Sequence, residues 1–156
     1  LIVSLYSLRK HYNGPVCLLH DGSPDTELVA SLKKDLDVDV LVDSDAGSST
    51  LVRKVKISTK TPYDLTVFID ADTLVVGDIS ELFEMARQTD CELVAVNFSG
   101  WKTTERTIMR RINGFKPKYP QYIKAAIDYG PAINTGVYAY PKTSKMFDEW
   151  FEVAKW

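Results

Sequence analysis

Two aspartates separated by one small residue, Asp70-Ala71-Asp72, follow directly on an apolar pentad, Leu65-Thr66-Val67-Phe68-Ile69. Carboxylates are hard oxygen ligands, and a pair of them at the carboxyl end of a strand suits Mg²⁺ or Mn²⁺. In a strand that continues through the triplet, alternation points Asp70 and Asp72 to the same side. Like charges that close repel, so a cation or hydrogen-bond donors must meet them. Ala71 leaves room for a ligand to approach the backbone. The plainer alternative is that both aspartates open a turn, as Asp does after many strands. A zinc site of the usual kind finds no support, because His11, His20, Cys17 and Cys91 form no HExxH or CxxC pattern. Both cysteines sit in apolar runs and read as reduced, buried thiols.

The elements around the triplet follow from apolar periodicity. Leu1, Leu5, Leu8 and Tyr12 recur at helical spacing until Asn13-Gly14-Pro15 stops them. A short strand over 15–20 comes next. A helix capped by Ser23 or Asp25 then runs to about Asp35, with Leu28, Val29 and Leu32 on one face. Residues 38–42 read as a second strand and 43–50 as a polar loop. A helix with Leu51, Val55 and Ile57 inward is broken by Thr61-Pro62-Tyr63. The pentad 65–69 reads as a strand buried on both faces. After it come a helix over 79–87, a strand over 93–98, a basic helix over 103–111 and a Pro-, Lys- and Tyr-rich loop over 116–122. A strand over 133–140 and a helix from Ser144 complete the order.

Strands alternating with helices predict an α/β sandwich with a mostly parallel sheet, ligands binding at the carboxyl ends of its strands. A nucleotide-binding half of this class begins with a strand, whereas this chain opens with a helix. The expectation is a single domain over 1–156, cut from a longer chain at both ends and lacking its first strand.

Composition narrows the function classes. The chain has 156 residues, 45% apolar and 26% charged, which suits one globular domain with a real core. Nineteen basic against 21 acidic residues give a net charge of −2, which argues against a general nucleic-acid binder. No apolar run approaches the roughly 20 residues needed to span a bilayer. Unpaired cysteines and no secretory leader point to the cytoplasm.

The segment Tyr63 to Phe83, centred on Val67-Phe68-Ile69-Asp70-Ala71-Asp72-Thr73-Leu74-Val75-Val76, resembles the DxD region of GT-A glycosyltransferases. It looks closest to the glycogenin-like, glycosyltransferase family 8 type. A second block, Ala132-Ile133-Asn134-Thr135-Gly136-Val137-Tyr138-Ala139-Tyr140, is similar to that family's F-N-[ST]-G-V strand. The spacing of the two blocks and the opening Ser4-Leu5-Tyr6-Ser7-Leu8-Arg9-Lys10 also fit, so the resemblance covers essentially the whole chain.

The resemblance implies a GT-A, Rossmann-like α/β/α fold and a metal-dependent transferase. Its donor would be a nucleotide sugar, most often UDP-linked. Its acceptor would be a hydroxyl of a glycan, a protein or a small molecule. Asp70 and Asp72 would ligate Mn²⁺ or Mg²⁺ and, with Ala71 and Lys54, hold the donor diphosphate. Asn134 and Thr135 would lie near the transferred sugar, Asn134 in a catalytic role. Asp128 would contact sugar hydroxyls, although Asp128-Tyr129-Gly130-Pro131 is also a plain turn. Lys56, beside Lys54, would help hold phosphate or sugar, the alternative being a solvated helical face.

Transfer in this family retains anomeric configuration, the diphosphate oxygen taking the acceptor's proton, and no residue here stands out as a nucleophile. The pattern departs at its far end. The family's third metal ligand, a His in an H-x-x-G-type segment, has no counterpart, and neither has its Asp-Gln acceptor motif.

Three other classes share some of these features. A haloacid-dehalogenase-like phosphatase also runs an apolar strand into D-x-D, but its motif reads D-x-D-x-[TV]-L and lies at the start of the domain. A sugar nucleotidyltransferase shares the sheet order, yet its Gly-rich basic phosphate loop is not seen. A catalytically degenerate nucleotide-sugar-binding domain would keep the fold without turnover. In that case the basic run Lys102 to Arg111, beside Trp101, would serve a partner or an acidic acceptor.

Overall fold

Whatever the triplet does depends on what holds the pentad before it. In the computed structural model, which describes residues 1–43, 50–88, 92–102 and 131–154, the pentad is strand β3 (Leu65–Ile69), with the bounds its composition predicts. Its neighbour is β5 (Pro131–Pro141), which runs antiparallel to it in the register Ile69↔Val137 and Phe68↔Tyr138. On the far side of β5 lies β4 (Val94–Lys102), also antiparallel. Strands β3 and β4 therefore run parallel to each other with β5 reversed between them. A separate pair, β1 (Val16–Asp21) and β2 (Val38–Asp43), is parallel.

The expected single, mostly parallel sheet is thus corrected. The described residues form mixed α/β structure with a parallel two-stranded sheet and an antiparallel three-stranded one. Apolar periodicity identifies a strand but carries no direction.

Among the described residues five helices accompany the sheets: α1 (Ile2–Arg9), α2 (Thr26–Leu36), α3 (Thr50–Ser58), α4 (Ser80–Gln88) and α5 (Met146–Ala154). The cap of α2 is Asp25 and not Ser23: its carboxylate accepts from the Glu27 and Leu28 amides, leaving fewer orphan donors at that end. At the other end Asp37 takes the left-handed conformation, φ 48°. The Arg9 guanidinium covers the loose carbonyls there. It donates to Leu36 O at 2.6 Å, Asp37 O at 2.9 Å and Gly14 O at 2.6 Å, a fork that lysine lacks.

Two apolar clusters hold these pieces. Leu5, Leu32, Leu36 and Val38 pack α1 and α2 on the small sheet. Val55, Tyr138, Tyr140 and Phe147 join α3 and α5 to β5. Each such burial contributes roughly 1.5–3 kcal/mol before chain entropy is set against it. The Phe68 ring stacks on Tyr138 at 4.8 Å and Tyr140 meets Phe147 edge-on at 4.5 Å.

Between the two sheets lies a cavity of about 770 Å³, walled by residues such as Leu5, Leu18, Val67 and Phe83. Among the described residues β1 pairs only with β2, and β3 only with β5, so one edge of each is left without a strand partner. Every residue of β3 is consequently half-buried, where a strand covered on both faces was expected. The half-buried thiol of Cys17, pushed up in pKa by burial, lines the same cavity and is free; Cys91 lies outside the described residues. No helix among the described residues is long and apolar enough to cross a membrane. The basic helix and the loop expected between 103 and 122 also fall outside them.

Candidate functional site

Strand β3 stops at Ile69. The Asp70 amide still donates across to Gly136 O at 2.8 Å, but the chain then folds into a turn closed by Thr73 N donating to Asp70 O at 2.9 Å. Strand alternation is lost at that point. The expectation that a continuing strand aims Asp70 and Asp72 to one side is therefore corrected: Ala71 and Asp72 ride a turn, and both are exposed. The turn is tethered from behind. Val75 N donates to Ser7 Oγ at 2.9 Å, and that hydroxyl donates to Ser4 O at 2.7 Å, so α1 holds the segment leaving the triplet.

Opposite the turn, β5 bulges. Its register against β4 runs Ala95↔Tyr138 and then jumps to Val96↔Asn134, which leaves Thr135, Gly136 and Val137 without partners in β4. Within the bulge the Asn134 side-chain oxygen accepts from the Gly136 amide at 2.7 Å, a local turn of the kind asparagine favours. Gly136 is glycine for want of space. A Cβ there would stand 2.9 Å from Asn134 Oδ1 and 3.2 Å from Asp70 Oδ2. The absent side chain leaves room for the Asp70 carboxylate and the Asn134 amide on either side of that position.

Lys54 closes the group from α3. Its ammonium lies 2.6 Å from Asp70 Oδ1 and 4.9 Å from the centroid of the Phe68 ring. Its side chain is 17% exposed and that of Asp70 36%. The helix is fixed one turn further on. Ser58 Oγ donates to Lys54 O at 2.9 Å and contacts the Tyr138 hydroxyl, also at 2.9 Å, while the Tyr140 hydroxyl donates to Ser58 O at 3.0 Å. Burial pushes the Tyr138 phenol above its ordinary pKa, and the nearby Asp70 charge adds to the shift.

Of the sequence candidates, Asp70, Lys54 and Asn134 come together around Gly136, and Ala71 and Asp72 flank them on the turn. Thr135 is half-buried in the bulge. Lys56 lies two residues further along α3, about 200° around the helix axis from Lys54. Asp128 lies outside the described residues. Sequence reasoning passed over Ser58, Phe68 and the steric role of Gly136. A glycine inside a strand pattern was the available signal, since it marks a bulge or a close approach.

Among the described residues no three His, Cys, Asp or Glu side chains gather into a metal cage. The oxygen set nevertheless suits a hard divalent cation carried in with phosphates. Mg²⁺ of this kind is held by one or two carboxylates, the remaining positions being filled by phosphate oxygens and water. No protein-family model matches the chain, and no curated protein matches it either.

Proposed function

We propose that the chain is the nucleotide-sugar-binding domain of a metal-dependent glycosyltransferase of the glycogenin-like, family 8 type. It would move a sugar from a UDP-linked donor to an acceptor hydroxyl with retention. One observation supports this above the rest. The two sequence blocks behind the resemblance, far apart in the chain, abut through the Asp70–Gly136 backbone hydrogen bond, with a lysine aimed at the same carboxylate. The GT-A architecture belongs to the same proposal, and strands flanked by helices are compatible with it.

In this reading Asp70 and Asp72 hold Mn²⁺ or Mg²⁺, which when bound offsets the charge that builds on the departing diphosphate. Lys54 supplies a further positive charge within reach of the diphosphate oxygens. The exposed turn at Ala71 gives the donor access to the backbone. Asn134 and Thr135 offer an amide and a hydroxyl to the sugar from the bulge, and Gly136 keeps that bulge close to Asp70.

The test is calorimetry with a panel of nucleotide sugars, with and without Mn²⁺, followed by donor hydrolysis assays on Asp72→Ala. A UDP-sugar should bind only with the cation. The variant should turn over about a hundredfold more slowly or worse, the loss of several kcal/mol of charge stabilisation. Unchanged turnover would remove the metal role. Release of pyrophosphate in place of UDP would assign the chain to nucleotidyl transfer.

A further inference from the structure

We infer that Lys54 is a built-in counter-ion which competes with the divalent cation for Asp70 and, once displaced, is delivered to the anionic donor. This rests on the cation-and-diphosphate reading above and adds a mechanism of coupling to it. The ammonium occupies Oδ1 of the carboxylate that the cation needs, at a hydrogen-bonding distance of 2.6 Å. The other oxygen, Oδ2, lies 3.2 Å from where a Cβ on Gly136 would stand. A dication arriving at Asp70 therefore meets a positive charge already in place, and the two repel. One must yield.

The lysine is built to yield through its side chain alone. Its backbone is held, because Lys54 O accepts from Ser58 Oγ and Ser58 is in turn tied to Tyr138 and Tyr140 of β5. The ammonium has a second seat, the face of the Phe68 ring, 4.9 Å away at its centroid, where a cation is tolerated without a carboxylate partner. Released from Asp70, the charge stays within the site, where a diphosphate is the natural partner for a strongly hydrated ammonium. Cation alone must displace the lysine without giving it another anion, whereas cation with diphosphate supplies one. Binding of the two is thereby cooperative, and by linkage each raises the affinity of the other by the same factor.

Mn²⁺ binding is measured on the 156-residue chain by the electron paramagnetic resonance signal of the free ion, first alone and then with saturating UDP, for wild type, Lys54→Met and Lys54→Gln. Circular dichroism accompanies each variant, so that whichever one keeps the wild-type fold serves the comparison. The expected result is that removing the ammonium tightens binding of Mn²⁺ alone by about tenfold. The gain that UDP confers on Mn²⁺ affinity should fall at least fivefold. If wild type binds Mn²⁺ and the folded variants bind it no more tightly, the competition is refuted while the metal reading stands. If no protein binds Mn²⁺ with or without UDP, the metal reading falls and this inference falls with it.

Discussion

Replacing Ser58 by alanine should cost more stability than replacing Tyr138 by phenylalanine, although both remove one end of the same hydrogen bond. The asymmetry follows from who donates. Ser58 has a single hydroxyl proton, and Lys54 O, which can only accept, lies 2.9 Å from its oxygen. The proton therefore goes to Lys54, and Tyr138 must donate into Ser58 Oγ across the other 2.9 Å contact. Tyr138 and Ser58 are each only 1% exposed, so water cannot replace a lost partner.

With Tyr138→Phe the serine loses one donor to its lone pairs but keeps its own proton satisfied, and the ring can still stack on Phe68. A net loss of about 1 kcal/mol is expected. With Ser58→Ala the Tyr138 hydroxyl is buried with no acceptor, a penalty of about 2 kcal/mol, slightly softened by the helix preference of alanine. In the double variant both ends are gone, so its cost should approach that of Tyr138→Phe alone, leaving a coupling of about 2 kcal/mol. Urea denaturation followed by tryptophan fluorescence reads these differences as shifts in midpoint at constant slope. In a chain of this size, 2 kcal/mol also lowers the melting temperature by about 4–8 °C. A Tyr138→Phe variant as damaged as Ser58→Ala, or two costs that simply add, would refute the donor assignment.

Two further outcomes test the same region from other directions. Gly136→Ala should cost only about 1 kcal/mol of stability, the worth of the Asn134–Gly136 hydrogen bond, because no left-handed backbone is required there. On the proposed cation role, its Mn²⁺ affinity by calorimetry should nevertheless fall about tenfold as the new methyl crowds Asp70 Oδ2. At high pH the buried phenols supply the second. Burial raises the pKa of Tyr138 and of Tyr140 in the folded chain, so above about pH 10 the unfolded state loses its protons first and stability falls as pH rises. Tyr138→Phe removes one of these phenols, so its stability deficit relative to wild type should narrow by up to about 1.4 kcal/mol per pH unit past pH 10. A deficit that stays constant between pH 9 and 11.5 would contradict the burial of that hydroxyl.

Local signals in the sequence survived translation into structure, and long-range ones did not. The pentad 65–69 is a strand to the residue because β-branched and aromatic side chains between a proline turn and two aspartates leave little else to form. Asp25 caps α2 because a carboxylate at that position meets amides two and three residues on. The turn at 70–73 was visible only as an alternative, since an aspartate after a strand can either prolong it or end it. The backbone hydrogen bond to Gly136 decides where pairing stops, and that partner is remote in sequence. Strand direction was hidden for the same reason. So was the pairing of Lys54 with Asp70, which depends on α3 crossing the end of β3, whereas Lys54 and Lys56 look equivalent until helical rotation separates them.

The site and the core share parts, which determines how each can be disturbed. Phe68 touches both the Lys54 ammonium and the Tyr138 ring, and Tyr138 in turn fixes Ser58 and with it the helix that carries Lys54. Lys54 is consequently aimed from the aromatic core, while Asp70 and Asn134 are aimed by backbone pairing and by the missing side chain at Gly136. Ser58→Ala perturbs the first arrangement and Gly136→Ala the second. The former should lower stability strongly and alter the proposed cation site only through the lysine. The latter should spare the core and strike the carboxylate. Two variants on different elements, with opposite ratios of stability loss to cation loss, are what a site built from a core-anchored helix and a strand bulge requires.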